Sequence, residues 1–129
     1  MKIKCILIDD EPLAIKVLQN YFTNFSDFEI IGTFNNALEA LEFINNNGVD
    51  AVFLDINMPG MNGWEFIEEF KKLSPDLQSR MIVVMLTTSE NPDDQQKAKE
   101  HNVLFAYKTK PLDIETLNDV VETYHALNQ

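Results

Sequence analysis

Three stretches of this chain, Ile3–Ile8, Ala51–Leu54 and Met81–Leu86, are apolar almost without interruption. A strand with one face in water alternates polar and apolar side chains, so an unbroken run of strand length must be covered on both faces. Two further short runs, Glu29–Phe34 and Val103–Tyr107, complete a set of five, and segments of helical period separate them. Alternating strands and helices of this kind build an α/β domain around a mainly parallel sheet. The three unbroken runs are expected at its centre.

The helices are legible from stripes and caps. Asn36 followed by Glu39 has the form of a capping box, and Ala37, Ala40, Leu41 and Ile44 then fall on one face. Asn62 and Glu65 repeat that cap ahead of Phe66, Ile67, Phe70 and Leu73. Asp113 can cap a last helix whose Ile114, Leu117, Val120, Val121 and Tyr124 form a broad apolar face. Asn45–Gly48 and the Ser74–Pro75 pair mark helix ends. The segment Asn91–Asn102 breaks the pattern: Asn91, Pro92, Asp93 and Asp94 are good start signals, yet Ala98 is its only apolar residue before Val103. A helix so thinly anchored belongs at the low-stability end of a structure, where switchable elements are found.

The sequence has 129 residues, with 21 acidic against 10 basic side chains, a formal charge of −11 and a pI near 4.4. A chain of this size buries roughly two-thirds of its unfolded surface, enough for one core and one domain over residues 1–129. The charge argues against non-specific binding to nucleic acid or to an anionic membrane, because phosphate attraction needs a surplus of Lys and Arg. Cationic partners and divalent metals stay open. Cys5 is the one cysteine, so no internal disulfide forms, and its neighbours Ile3, Ile6 and Leu7 make it a packing thiol suited to a reducing compartment. The first apolar run stops at Asp9 and Asp10, too early for a membrane span or a secretory signal, so the expected location is the cytoplasm.

In an open parallel sheet the ligand site lies beyond the carboxyl ends of the strands. Here the first run ends at Asp9 and Asp10, the third at Asp55, the fourth at Thr87 and Thr88, and the fifth is followed by Lys108 and Lys110. Taken alone, Asp9-Asp10-Glu11 reads as a solvated helix start favoured by the helix dipole. Asp55 shifts the balance, since an acid ending an apolar strand is costly to bury without a partner. Converging carboxylates repel one another and raise each other's proton affinity unless a cation joins them. Oxygen ligands without His or Cys select a hard divalent ion, and Mg²⁺ is the abundant cytoplasmic choice. A carboxylate beside such an ion can attack a phosphoryl group, because metal and lysine neutralise the non-bridging oxygens.

Asp9-Asp10-Glu11, the run Asp55-Ile56-Asn57-Met58-Pro59-Gly60-Met61-Asn62-Gly63, Thr87, Tyr107 and Lys110-Pro111 together resemble the receiver domain of bacterial two-component response regulators. The resemblance covers essentially the whole chain and is to the stand-alone, chemotaxis-regulator-like form. It implies a doubly wound, flavodoxin-like (βα)5 fold with five parallel strands in the order 2-1-3-4-5. It also implies that Asp55 accepts a phosphoryl group from a histidine kinase or a phosphotransfer protein in a Mg²⁺-dependent reaction. Asp10 and Asp55 would bind Mg²⁺ with the backbone carbonyl of Asn57, while Asp9 would act mainly through a metal-bound water. Lys110 would pair with Asp55 and then with the phosphoryl oxygens. Thr87 would move to hydrogen-bond the phosphoryl group, and Tyr107 would swing into the space it leaves. The Lys110–Pro111 peptide is cis in the family. Pro59 and Gly63 shape the acceptor loop, one by restricting it and the other by allowing a close backbone turn.

The resemblance further implies a partner-binding face made of the helix at Asn91–Asn102, the fifth strand and the helix after it. A downstream protein is the expected partner there, with a phosphorylation-dependent homodimer as a further arrangement and no direct contact with nucleic acid or membrane. No enzymatic turnover is expected beyond the chain's own phosphoryl transfer and slow self-dephosphorylation. With nothing after the last helix, the chain is expected to act through a separate protein or to be an excised domain. Thr88 is bulkier than the Ala or Gly usual after the switch threonine, and Asn57 and Ser89 occupy positions that tune hydrolysis.

Two other classes share some of these parts. A haloacid-dehalogenase-like aspartyl phosphatase places a second aspartate two residues after its nucleophile, where Asn57 stands. A flavodoxin-like flavin-binding module needs a first loop rich in Ser, Thr and Gly, whereas Asp9-Asp10-Glu11 would repel a phosphate. Trp64 reads as a partly exposed packing residue behind the acceptor loop. His101 and His125 read as surface residues, and Glu65, Glu68 and Glu69 as a solvent face.

Overall fold

Apolar runs that had to be covered on both faces lie in the middle of a single parallel sheet. The computed structural model describes residues 2–56, 58, 61–87, 92–100, 104–110 and 112–127. The strands are β1 (Ile3–Ile8), β2 (Phe28–Phe34), β3 (Ala51–Asp55), β4 (Ile82–Thr87) and β5 (Leu104–Thr109), ordered β2-β1-β3-β4-β5. Every neighbouring pair is parallel. The helices are α1 (Pro12–Phe22), α2 (Ala37–Asn46), α3 (Gly63–Phe70), α4 (Pro75–Arg80), α5 (Pro92–Glu100) and α6 (Ile114–Leu127). The fold is the α/β, flavodoxin-like arrangement expected above.

The period-two geometry of the strands divides the core in two. On one face Ile6, Ile8, Val52, Leu54, Val83 and Met85 meet Ala40 and Ile44 of α2 and Phe66, Ile67 and Phe70 of α3. On the other, Cys5, Leu7, Phe53, Val84 and Leu86 meet Phe22 of α1 and Leu117, Val120 and Tyr124 of α6. The rings of Phe22, Phe28 and Phe53 pack edge-on and tilted there, with centroids 5.0–6.2 Å apart. α5 contributes no buried residue to either face.

Several local expectations change in the folded chain. Ser74–Pro75 opens a helix instead of closing one, because the Ser74 hydroxyl accepts from the Leu77 amide at 3.2 Å and Pro75 fits the first turn of α4. β5 continues past Tyr107 to Thr109, since Leu86 and Thr87 of β4 supply pairing partners for Lys108 and Thr109. Lys108 therefore lies within the strand. Asn36 accepts from the Leu38 and Glu39 amides, and at Asn62 the box is reciprocal, with Glu65 reaching back to the Asn62 amide at 3.1 Å. The expectations resting on Asn57, Pro59, Thr88, Ser89, Asn91, His101, Asn102, Val103 and Pro111 lie outside the described residues. Among the described residues no helix is long and apolar enough to cross a membrane.

The strand order places the reversal point between β1 and β3. After β1 the chain moves outward to β2, then returns to lay β3 on the other side of β1. A crevice opens at such a point beyond the carboxyl ends of the strands.

Candidate functional site

The carboxyl ends of β1, β3, β4 and β5 bring their terminal residues together in that crevice. Asp9 follows β1, and its amide donates to the Phe34 carbonyl of β2 at 2.9 Å, which anchors the strand exit. Asp55 is the last residue of β3 and Thr87 the last of β4. Lys110 follows β5, and its amide donates to the Thr87 carbonyl at 2.7 Å. Asp9 and Asp55 are 1% and 7% exposed, so two carboxylates sit almost wholly out of water. Asp10 is half-buried beside them.

Each of Asp9, Asp10 and Asp55 offers an oxygen within 4.8 Å of the others. One ammonium reaches into the group: Lys110 Nζ lies 2.9 Å from Asp9 Oδ2 and 3.6 Å from Asp55 Oδ1. Lys110 thus sits nearer Asp9 than Asp55. The other Asp9 oxygen accepts the Glu11 amide at 3.0 Å. That bond serves the start of α1, where Glu11 makes no side-chain cap and Pro12 occupies the first turn. Burial pulls the Lys110 ammonium down, but the Asp9 hydrogen bond and the charges of Asp55 and Asp9 together outweigh it, holding its pKa above the ordinary 10.5.

Among the described residues, three carboxylates against one ammonium leave a surplus of negative charge in a mostly buried space. The donors are all carboxylate oxygens, a chemistry that fits a hard divalent cation of the Mg²⁺ type and gives a soft metal nothing to prefer. The residues fit such an ion on that observation.

The loop after β3 is shaped by a steric demand at Gly63. Its amide donates to the Ile56 carbonyl at 2.9 Å, which ties the residues flanking the loop together. A β-carbon at Gly63 would meet the Ile56 Cα at 2.8 Å and Met85 Cε at 3.3 Å, so the close approach excludes a side chain.

Thr87 is fully buried, and Tyr107 lies half-buried on β5 next to it. The Tyr107 hydroxyl is buried without a well-formed hydrogen bond among the described residues. Burial, then the charge of Asp94, pushes its phenol pKa up, against a smaller downward pull from the neighbouring Thr87. Trp64, the second residue of α3, stacks on Tyr107 with centroids 6.0 Å apart and donates from Nε1 to Asp94 Oδ1 at 3.0 Å. The sequence pointed to Trp64 as packing and to Asp94 only as a helix start signal. Thirty positions separate the pair, and no local pattern links residues so far apart. His125 is exposed on α6, its ring edge-on to Tyr124.

The sequence profile of the response regulator receiver domain matches residues 5–122. The chain belongs to the response regulator receiver domain family. A response regulatory protein of Shewanella oneidensis is 33% identical over 120 residues, covering 93% of this chain and 48% of that protein. The transcriptional regulatory protein BtsR of Escherichia coli is 35% identical over 111 residues, covering 86% of this chain and 43% of BtsR. The chain thus spans less than half the length of these two relatives. Among solved structures, a two-component response regulator from Cytophaga hutchinsonii superimposes with a TM-score of 0.87 at 30% identity, over all of both chains. This receiver therefore carries its acidic cluster at the strand ends of a two-component signalling domain.

Proposed function

We propose that this receiver is a phosphorylation-controlled switch that accepts a phosphoryl group on Asp55 from a histidine kinase or a phosphotransfer protein. The observation that carries the reading is the buried acidic cluster with Lys110 bridging Asp9 and Asp55 at 2.9 and 3.6 Å. Asp55 ends its strand nearly buried yet within the crevice, which suits a nucleophile that one incoming group must reach. Its carboxylate oxygen would form the new P–O bond as the donor's P–N bond breaks and the imidazole leaves. Lys110 would follow the negative charge from the Asp55 oxygen to the phosphoryl oxygens, a short move for an ammonium already shared between two acids. Thr87, Tyr107 and the phosphoryl oxygens would then be linked by hydrogen bonding and packing.

Asp10, Asp55 and the Asn57 carbonyl would hold Mg²⁺, with Asp9 assisting. When bound, the ion supplies charge neutralisation at the transferring group. The chain's own part is to keep bulk water away from Asp55 and to present the Lys110 ammonium to it. Hydrolysis of the acyl phosphate would return Asp55 to a carboxylate, so no turnover beyond this cycle is assigned.

The output would be a surface change at α5, β5 and α6. Phosphorylation supplies about 1–3 kcal/mol of bias if it resembles other couplings, and α5, which buries no residue, is an element that so modest a bias can move. An apolar groove of about 330 Å³ lined by Val17, Leu18, Tyr21, Leu86 and Leu112 ends at Lys110 and would give a protein donor a footing beside the acceptor.

The test is incubation with acetyl phosphate, with and without Mg²⁺, followed by intact mass. A single phosphoryl adduct that needs the metal and is lost in Asp55→Asn is expected. An adduct that forms equally well in EDTA, or that persists in Asp55→Asn, refutes the assignment.

A further inference from the structure

The indole of Trp64 joins elements that the backbone leaves apart. α5 buries none of its residues, so nothing in the hydrophobic core holds it in place. It rests on β5, and side-chain contacts to α3 tie it from the side. Trp64 Nε1 donates to Asp94 Oδ1 at 3.0 Å, and Lys97 Nζ lies 5.9 Å from the centre of the same ring, in cation–π range. On its other side the indole lies nearly parallel to Tyr107, at 16°. Tyr107 in turn neighbours Thr87, the buried end of β4. A continuous path therefore runs from Thr87 through Tyr107 and Trp64 to two charged side chains one turn apart on α5.

We propose that Trp64 is a positioning residue of the switch: its bond to Asp94 latches α5 in the arrangement that goes with an unmodified Asp55, and phosphoryl acceptance has to work against that latch. The inference rests on the switch reading above. Its physical core is separate, because it concerns what holds α5. Thr87 cannot shift without disturbing Tyr107, and Tyr107 cannot move far without sliding along the indole. The indole is pinned by a directional bond to the Asp94 side-chain oxygen, so sliding strains that bond. Breaking the latch lowers the weight of the arrangement seen here and favours the alternative one.

The experiment is titration of the full chain with beryllium fluoride in saturating Mg²⁺, a mimic of the phosphoryl group, followed by calorimetry. Asp94→Ala and Trp64→Phe should each bind about two- to tenfold tighter, the factor that corresponds to one hydrogen bond of ordinary net strength. Trp64→Phe keeps an aromatic ring against Tyr107 but loses the donor, along with part of the ring under Lys97, so Asp94→Ala is the variant that removes the bond alone. The double variant should bind no tighter than either single one, and Asp94→Asn, which keeps a carbonyl acceptor, should return to the wild-type value. Asn36→Ala, which weakens the cap of α2 far from the path, should leave binding unchanged. Wild-type affinity in both Asp94→Ala and Trp64→Phe, additive effects in the double variant, or an Asp94→Asn that matches Asp94→Ala would each overturn the latch. A wild type that takes no beryllium fluoride would instead sink the switch reading. The latch would then be judged by amide exchange in α5: faster exchange in both single variants upholds it, unchanged exchange overturns it.

Discussion

Replacing Lys110 with methionine removes the one ammonium that, among the described residues, reaches the buried carboxylates, while keeping most of the side chain's volume. With an effective dielectric near 20, the separations of 2.9 and 3.6 Å correspond to gross attractions of about 6 and about 5 kcal/mol before desolvation is subtracted. The net loss on removing one partner from a buried pair is about 3–5 kcal/mol. The Lys110 side chain keeps 24% of its surface in solvent, which puts the expected loss at the lower end, about 3 kcal/mol. Because its pKa is raised above 10.5, the lysine is charged in both folded and unfolded chains below that value, and its contribution is fully present there. That contribution disappears only as pH rises through the higher folded pKa. Measurements at neutral pH therefore read the whole effect. Urea unfolding followed by Trp64 emission and far-ultraviolet dichroism, in EDTA, should show the midpoint falling with the slope unchanged. Mg²⁺ at about a hundred times its dissociation constant should restore about 2.7 kcal/mol, because the ion takes over the neutralising role. A loss under about 1 kcal/mol in EDTA, well short of the buried-pair range, or one that Mg²⁺ leaves untouched, would refute the claim that these carboxylates are felt as one charge cluster.

Two further perturbations probe the scaffold. Gly63→Ala forces a β-carbon to within 2.8 Å of the Ile56 backbone, and should cost about 1–3 kcal/mol by the same denaturation assay, with wild-type stability contradicting the steric account. Burial, helped by the charges of Asp50 and Glu29, pushes the Cys5 thiol from 9.0 up to about 12, so it should stay unlabelled by a disulfide reagent at pH 8 until denaturant is added. The sign for stability follows: the neutral thiol costs nothing below pH 9, and stability drains as pH climbs from 9 toward 12, where only the unfolded thiol ionises.

Much of the site was legible before folding because strand ends are marked by chemistry as well as by pattern. Asp9, Asp10, Asp55 and Thr87 each close an apolar run, and parallel topology sends all such closures to one edge of the sheet. The thin apolar stripe of the Pro92–Glu100 segment likewise signalled a helix that buries nothing. Errors arose where a local signal has two meanings. Ser74–Pro75 suits the end of one helix as well as the start of another, and the neighbouring turn decided for the start. Lys108 belongs to β5 because β4 offers it a pairing partner, which no one-strand reading can foresee.

The amino-acid order determined which residues are buried, which cap helices and which acids stand at strand ends, since these follow from periodicity and from side-chain chemistry within a few positions. Tertiary structure alone decided that Lys110 lies closer to Asp9 than to Asp55, and that Trp64 reaches Asp94 across thirty positions. Those outcomes depend on distances of tenths of an ångström between elements remote in sequence, and such distances are set by how two packed layers settle against one sheet.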